Sequence, residues 1–315
     1  MKLAIFTHNY PSEQTPSAGI FIVDHTKHLT DSDPDLEARV HNFPFGEYPM
    51  TAAVKKPWKW PKFAWYFLSL PLRVRRAIQG SDAALAHWWL PAGIAAAMVK
   101  GRRPLTVICH GTDLYLFQKH LRLARSVSFL AGRVDRWQCV SQDLKRILLQ
   151  LYPFIDESII RVEPMPVAEG FSNLGLPRES DLIVSCGSMI GRKKFDDLIR
   201  VMNALEGVRL RIYGEGPQRP QLLGLVDELG LTDRVELPGN VSREELNRAF
   251  NTASLFVLLS VDEGYGMVLK EAQMAGCPTM AYASDGMVDT GLDYPIDPGA
   301  DIPGAIRRVL RQSTE

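Results

Sequence analysis

Short apolar runs separated by stretches of helical periodicity set the layout of this chain. In its first half the runs fall at residues 3–6, 83–86, 105–109 and 136–140. Strand-length runs alternating with helical segments indicate a parallel sheet joined by crossover helices. Helices are expected over 121–130 and 143–152, the second ended by Pro153, which cannot continue the helical ladder. Residues 161–180 carry three prolines and two glycines, the punctuation of a linker. A second alternation follows, with strands at 182–186, 208–213, 235–237, 255–259 and 278–282 and helices at 196–205, 219–229, 244–252 and 267–275. The expected fold class is α/β, with two Rossmann-like, doubly wound domains over residues 1–166 and 167–315.

A length of 315 residues is more than one domain usually holds, which agrees with that division. Lys plus Arg and Asp plus Glu each number 36, so no global field draws nucleic acid, and no nucleic-acid partner is expected. Cys109, Cys139, Cys186 and Cys277 lie far apart, mostly in or beside apolar runs, as reduced core thiols of a cytoplasmic protein do. The apolar run at the N-terminus turns polar at Thr7, too short for a signal peptide. No stretch reaches the roughly 18 uncharged apolar residues of a spanning helix, so any meeting with a membrane is peripheral, on its cytoplasmic face. One segment invites that meeting: residues 55–67 interleave lysines with aromatics, including Trp58 and Trp60, a composition suited to lipid headgroups. Alternatively, Trp65, Tyr66 and Phe67 open a core helix and only the lysines are exposed.

No G-x-G-x-x-G follows the first strand, and there is no P-loop, H-E-x-x-H or calcium loop. The informative stretch is residues 262–272, Asp-Glu-Gly-Tyr-Gly-Met-Val-Leu-Lys-Glu-Ala, between an expected strand and an expected helix. In an open α/β sheet, ligands bind at the carboxyl ends of the strands. A helix starting near Met267 presents amides without internal partners, and Gly264 and Gly266 let an anion come close to the backbone around Tyr265, Met267 and Val268. A diphosphate fits such a place. Glu263 would then face a sugar and Glu271 a ribose diol. The plainer explanation is that acidic residues favour helix starts anyway, by about 0.3–1 kcal/mol.

The pattern as a whole resembles the retaining glycosyltransferases of family 4. Their E-G-x-G-x-x-x-x-E-A segment, followed by a small-residue turn and proline, is matched closely over residues 263–278. Further matches come in that family's order: 16–22 (Pro-Ser-Ala-Gly-Ile-Phe-Ile) for the loop after the first strand, with Gly19 near donor phosphate; His110-Gly111-Thr112-Asp113 for its H-G-x-D; Val140-Ser141 for a later strand end; and 164–171 for the linker. Residues 213–217, with Gly214, and 237–241, with Val241, resemble its nucleotide-side loops. The resemblance implies a GT-B fold, two domains facing each other across a cleft. It also implies transfer of a sugar from a nucleoside diphosphate sugar to a saccharide or lipid-linked acceptor, with retained configuration and neither metal nor cofactor. His110 would contact the transferred sugar, although a lone histidine is more often structural. Asp113 falls on the acceptor side or merely caps the next helix. Of the cations Arg192, Lys193 and Lys194, Lys193 takes the family's lysine position, as the counter-charge to the leaving diphosphate.

Two departures qualify this. The family's partner arginine falls on Ser188, with Arg192 the nearest substitute, and the segment after Gly286 is compact, leaving a closing helix of residues 302–312 or a cover supplied by a partner. They motivate an alternative: a weakly active or inactive sugar-nucleotide-binding partner of another transferase.

Overall fold

The computed structural model describes residues 1–12, 19–45 and 60–312, and the chain divides into two compact units, Met1–Pro166 and Val167–Glu315. Unit 1 runs β1 (Lys2–Thr7), α1 (Ile20–Ser32), β2 (Glu37–Asn42), α2 (Trp60–Ala77), β3 (Ala83–His87), α3 (Ile94–Val99), β4 (Leu105–Cys109), α4 (Thr112–Lys119), α5 (Leu121–Ser126), α6 (Ser128–Ala131), β5 (Arg136–Cys139), α7 (Gln142–Leu151) and β6 (Ile160–Val162). Its strands lie in the order β2-β1-β3-β4-β5-β6, every ladder parallel. β1 is buried from Leu3 onward because helices cover both faces of a parallel sheet. Ser141 starts α7, its hydroxyl accepting from the amide of Leu144 at 3.3 Å.

Unit 2 comprises β7 (Glu179–Cys186), α8 (Phe195–Met202), β8 (Arg209–Tyr213), α9 (Arg219–Glu228), β9 (Val235–Gly239), α10 (Arg243–Thr252), β10 (Ala253–Leu258), α11 (Met267–Met274), β11 (Thr279–Tyr282), β12 (Tyr294–Ile296) and α12 (Ile302–Gln312). Its sheet, again parallel, is ordered β12-β11-β10-β7-β8-β9. Apolar cores fill both faces, one around Ile183, Leu210, Val257 and Ile306, the other around Val184, Phe250, Phe256 and Leu269. A capping box between Ser242 and Glu245 fixes the start of α10.

Two expectations are corrected. The helix over 121–130 is broken at Val127 (φ −109°, ψ 4°) into α5 and α6. The hydroxyls of Ser126 and Ser128 donate to the carbonyls of Leu123 and Arg125, local bonds that compete with a continuous helix. The linker is shorter at both ends than 161–180, since β6 and the start of β7 occupy its flanks; pairing with a neighbouring strand outweighs the turn-forming composition there. Segment 60–67 divides between its two readings. Tyr66 is buried with its hydroxyl donating to Phe43 O at 2.7 Å, whereas Trp65 is 71% exposed. Trp58 lies outside the described residues, and Trp60 is the first residue of α2. Three of the cysteines are buried and Cys186 is half-buried, all as free thiols.

Candidate functional site

In unit 2 the strand order reverses between β7 and β10, the kind of switch point at whose carboxyl edge open α/β sheets bind ligands. The loop leaving β7 ends in a short turn, Gly191–Lys193, and the loop leaving β10 carries Asp262 and Glu263. The two loops are tied by the amide of Val261, which donates to Arg192 O at 2.9 Å. Lys193 Nζ donates to Glu263 Oε2 at 2.7 Å, and Arg192 Nη1 reaches the same oxygen at 3.3 Å and Asp262 O at 3.2 Å. The Lys193 and Glu263 side chains are only 10% and 13% exposed. Burial pushes the Glu263 carboxyl up, but Lys193 and then Arg192 outweigh it and hold the group below the usual carboxylate range. Two cations thus converge on one carboxylate oxygen. Arg192 stands on the cluster; Ser188, on the same loop, is exposed and has no charge to offer.

Just beyond Glu263, residues 264–266 are buried and deliver the chain to α11 through Gly266 in the left-handed conformation (φ 76°, ψ 54°). A side chain there would be strained, and its Cβ would sit 2.9 Å from Leu269 Cδ1. The Leu269 amide turns back to Gly266 O at 2.8 Å, and no side chain caps α11. The amides of Met267 and Val268 are therefore those aligned for an anion. One turn on, half-buried Glu271 lies within electrostatic reach of Cys186 at the end of β7; burial and then Glu271 push that thiol up to about 12. Gly214, after β8, donates its amide to Gly239 O at 2.8 Å, and any Cβ on it would lie 2.1 Å from Gly187 O. Val241 packs at the margin of the Phe250 core.

Unit 1 has its own switch point, between β1 and β3, and the carboxyl ends of β1, β3 and β4 there carry His8, His87 with Trp88, and His110. His87 Nδ1 is 3.0 Å from His110 Nε2, and Phe21 and Trp88 place their rings 5.0 and 4.7 Å from that of His110. Burial lowers the imidazoles of His8 and His110 to about 4 and about 3, so both are neutral. Asp113 lies in the first turn of α4 and does not cap it. Its carboxylate accepts from the amides of Trp89 at 2.6 Å and Gly111 at 3.2 Å, fixing two loops, and burial raises it to about 6. Gly19, in the left-handed region, opens α1 against the backbone of Asn9. Sequence reasoning found His110 but missed His8, His25, His87 and Trp88. The available signal was that His8, His87 and His110 each end or directly follow an apolar strand.

Two doubly wound units, each with polar groups gathered where its strand order reverses, define a Rossmann-like ligand-binding protein. Residues 20–168 match the family profile described as Glycosyltransferase Family 4, and residues 168–294 the one described as Glycosyl transferases group 1. The chain belongs to this glycosyltransferase family. LpsD of Rhizobium meliloti (strain 1021), a lipopolysaccharide core biosynthesis glycosyltransferase, is 32% identical over 181 residues, 54% of this chain and 52% of that protein. The match spans 52, 31 and 58% of the length of three such curated relatives. Among solved structures, the apo form of the lipopolysaccharide outer core galactosyltransferase WaaB matches 100% of this chain with 92% of its own (TM-score 0.70, 18% identity). HepE from Anabaena in complex with UDP matches 99% with 89% of its own (TM-score 0.72, 16% identity). At these identities the likeness is one of fold, the GT-B type with two Rossmann-like domains.

Proposed function

We propose that this protein transfers a sugar from a nucleoside diphosphate sugar to a hydroxyl of a saccharide or lipid-linked acceptor, in cell-surface glycan assembly, with retained configuration and no metal. The carrying observation is the buried Lys193–Glu263–Arg192 cluster beside the uncapped start of α11. Lys193, Arg192 and the Met267 and Val268 amides receive the diphosphate, Glu263 the sugar and Glu271 the ribose. The loops at Gly19, Gly214 and Val241 border the donor, and the edge holding His110 serves the sugar and acceptor. In the reaction the bond from the anomeric carbon to the β-phosphate oxygen breaks while the acceptor oxygen bonds to that carbon on the same face. The acceptor proton passes to the departing phosphate, giving nucleoside diphosphate and glycoside. Preorganised cations and amides act where charge grows on the leaving group, which is where electrostatic stabilisation accelerates most. UDP sugars are the first donors to try, since HepE was solved with UDP.

The test screens UDP, GDP and ADP sugars for thermal stabilisation, then measures nucleoside diphosphate release with and without chelator. One nucleotide class should raise the midpoint. Release should survive chelation and vanish in Glu263→Ala and Lys193→Ala. Tight binding without turnover on any acceptor defeats the enzyme reading.

The same proposal places the protein against a membrane. Trp65, Leu68 and Leu72, spaced to share one face of α2, are 71, 74 and 61% exposed. α2 packs on α3, which exposes Met98, and α3 on α6, which exposes Phe129. Residues 48–155 hold 17 of the 36 basic side chains and 4 of the 36 acidic ones, although the whole chain is neutral. An apolar face rimmed by Lys62, Arg73, Arg75 and Arg76 suits an anionic bilayer, each cation near the surface contributing about 1 kcal/mol. Among the described residues no helix is long and apolar enough to cross a membrane.

A further inference from the structure

At the carboxyl edge of unit 1's sheet the ring of His87 stands between two others. Its Nδ1 is 3.0 Å from Nε2 of His110 and its Nε2 is 3.4 Å from Nδ1 of His25, which projects from α1. The His87 and His110 rings lie nearly parallel (centroids 5.2 Å apart, 15° between planes), and His25 meets His87 edge-on at 86°. Burial keeps the three rings neutral, His25 at about 4 and His110 at about 3.

A neutral imidazole donates through one nitrogen and accepts through the other. Both nitrogens of His87 are engaged, so its tautomer dictates those of its neighbours. With the proton on His87 Nδ1, His110 accepts at Nε2 and carries its own proton on Nδ1, while His25 donates from Nδ1. With the proton on His87 Nε2, both bonds reverse and His110 Nδ1 becomes a bare acceptor. Every mixed combination sets N–H against N–H or lone pair against lone pair in a buried place. Phe21 and Trp88 pack on the His110 ring and hold it in line.

We infer that His25, His87 and His110 act as one relay in which His87 is a positioning residue: it commits Nε2 of His110, so that Nδ1 is the atom offered to a ligand, with a polarity set as far away as His25. The fitting ligand group is a sugar hydroxyl, which can meet either polarity. The role in transfer rests on the function proposed above; the relay itself does not.

Long-range 1H–15N spectra of the ¹⁵N-labelled chain at pH 7 test the relay without any assay of activity. Each of the three rings should show one protonated and one bare nitrogen, all in the same sense. In His25→Leu the two nitrogen shifts of His110 should move toward averaged values although the altered residue does not touch that ring, and in His25→Asn, whose amide stands near the place of Nδ1, they should separate again. Averaged nitrogens in the wild-type rings, or His110 shifts indifferent to His25→Leu, overturn the relay; the wild-type spectrum decides even where a variant fails to fold. In the transfer assay His25→Leu should lower kcat/KM for acceptor roughly tenfold, about one hydrogen bond's worth, and leave nucleotide affinity unchanged. Absence of transfer in the wild type counts against the proposed function alone, since the spectra stand independently.

Discussion

Replacing Lys193 with methionine removes the ammonium but keeps most of the stem that lies against Gly187, so it isolates the charge. Glu263 then keeps Arg192 as its cation, at 3.3 Å where Lys193 had stood at 2.7 Å. Breaking a buried ion pair costs about 3–5 kcal/mol, and the surviving guanidinium puts the expected loss at the bottom of that range. For a domain of this size, about 3 kcal/mol lowers the midpoint by roughly 6–12 °C. The pH dependence identifies the cause. In the wild type Glu263 is held low, so its contribution is complete above the unfolded value, about 4.3, and is lost as pH falls through the folded one. In the variant, with the nearer cation gone, burial pushes the folded value back up, so the stability that Glu263 contributes above about 4.3 shrinks. The gap between the proteins is therefore widest near pH 7 and closes toward pH 4, where a protonated Glu263 needs no cation. Calorimetry between those pH values measures it. All six tryptophans precede Val167, so their fluorescence follows unit 1 and serves as the control. A gap of equal size at pH 4 and pH 7 refutes the reasoning.

Three further outcomes are expected. Gly214→Ala sets a Cβ 2.1 Å from Gly187 O at a φ of +123°, and denaturant titration should show a loss of about 3 kcal/mol; a neutral result contradicts the packing of the two loops. Burial lowers the folded values of His8 and His25 to about 4 and of His110 to about 3, so at these three sites the unfolded chain binds more protons below about 6.5, and stability falls on acidification from pH 7 to 5. Asp113, raised to about 6, works in the opposite sense, its stabilisation being lost as pH rises through that value; one carboxyl does not offset several imidazoles, and a tryptophan-monitored midpoint that rises on acidification disproves the burial argument. Changing Trp65, Leu68 and Leu72 together to serine should cut binding to vesicles containing acidic lipid by more than tenfold, since each side chain withdrawn from water is worth about 1.5–3 kcal/mol; undiminished binding removes α2 from any membrane contact.

What the amino-acid pattern revealed, and what it hid, follows from the distance over which each feature is decided. β4 and β10 were legible because strands covered on both faces need continuous apolar runs, whereas β2, paired along one side only, mixes Glu37, Arg39 and His41 with apolar residues and gives no such run. The turn into α11 was legible because a left-handed residue between strand and helix calls for glycine within a few positions. The convergence of Arg192 and Lys193 on one oxygen of Glu263, about 70 residues away, was not, because it depends on β7 lying beside β10, and hydrophobicity does not encode strand order. The same holds for His87 and His110, brought together only by the adjacency of β3 and β4. Backbone strain was hidden as well, and its placement bears on function. Among the described residues the non-glycine positions with positive φ are Trp88, Lys194 and Asp262, the immediate neighbours of His87, Lys193 and Glu263. Such conformations cost about 1–3 kcal/mol each and persist where surrounding structure over-determines them. That all three adjoin the two clusters identifies the places where the fold holds side chains in position at the expense of local comfort, as a site that must bind in one geometry requires.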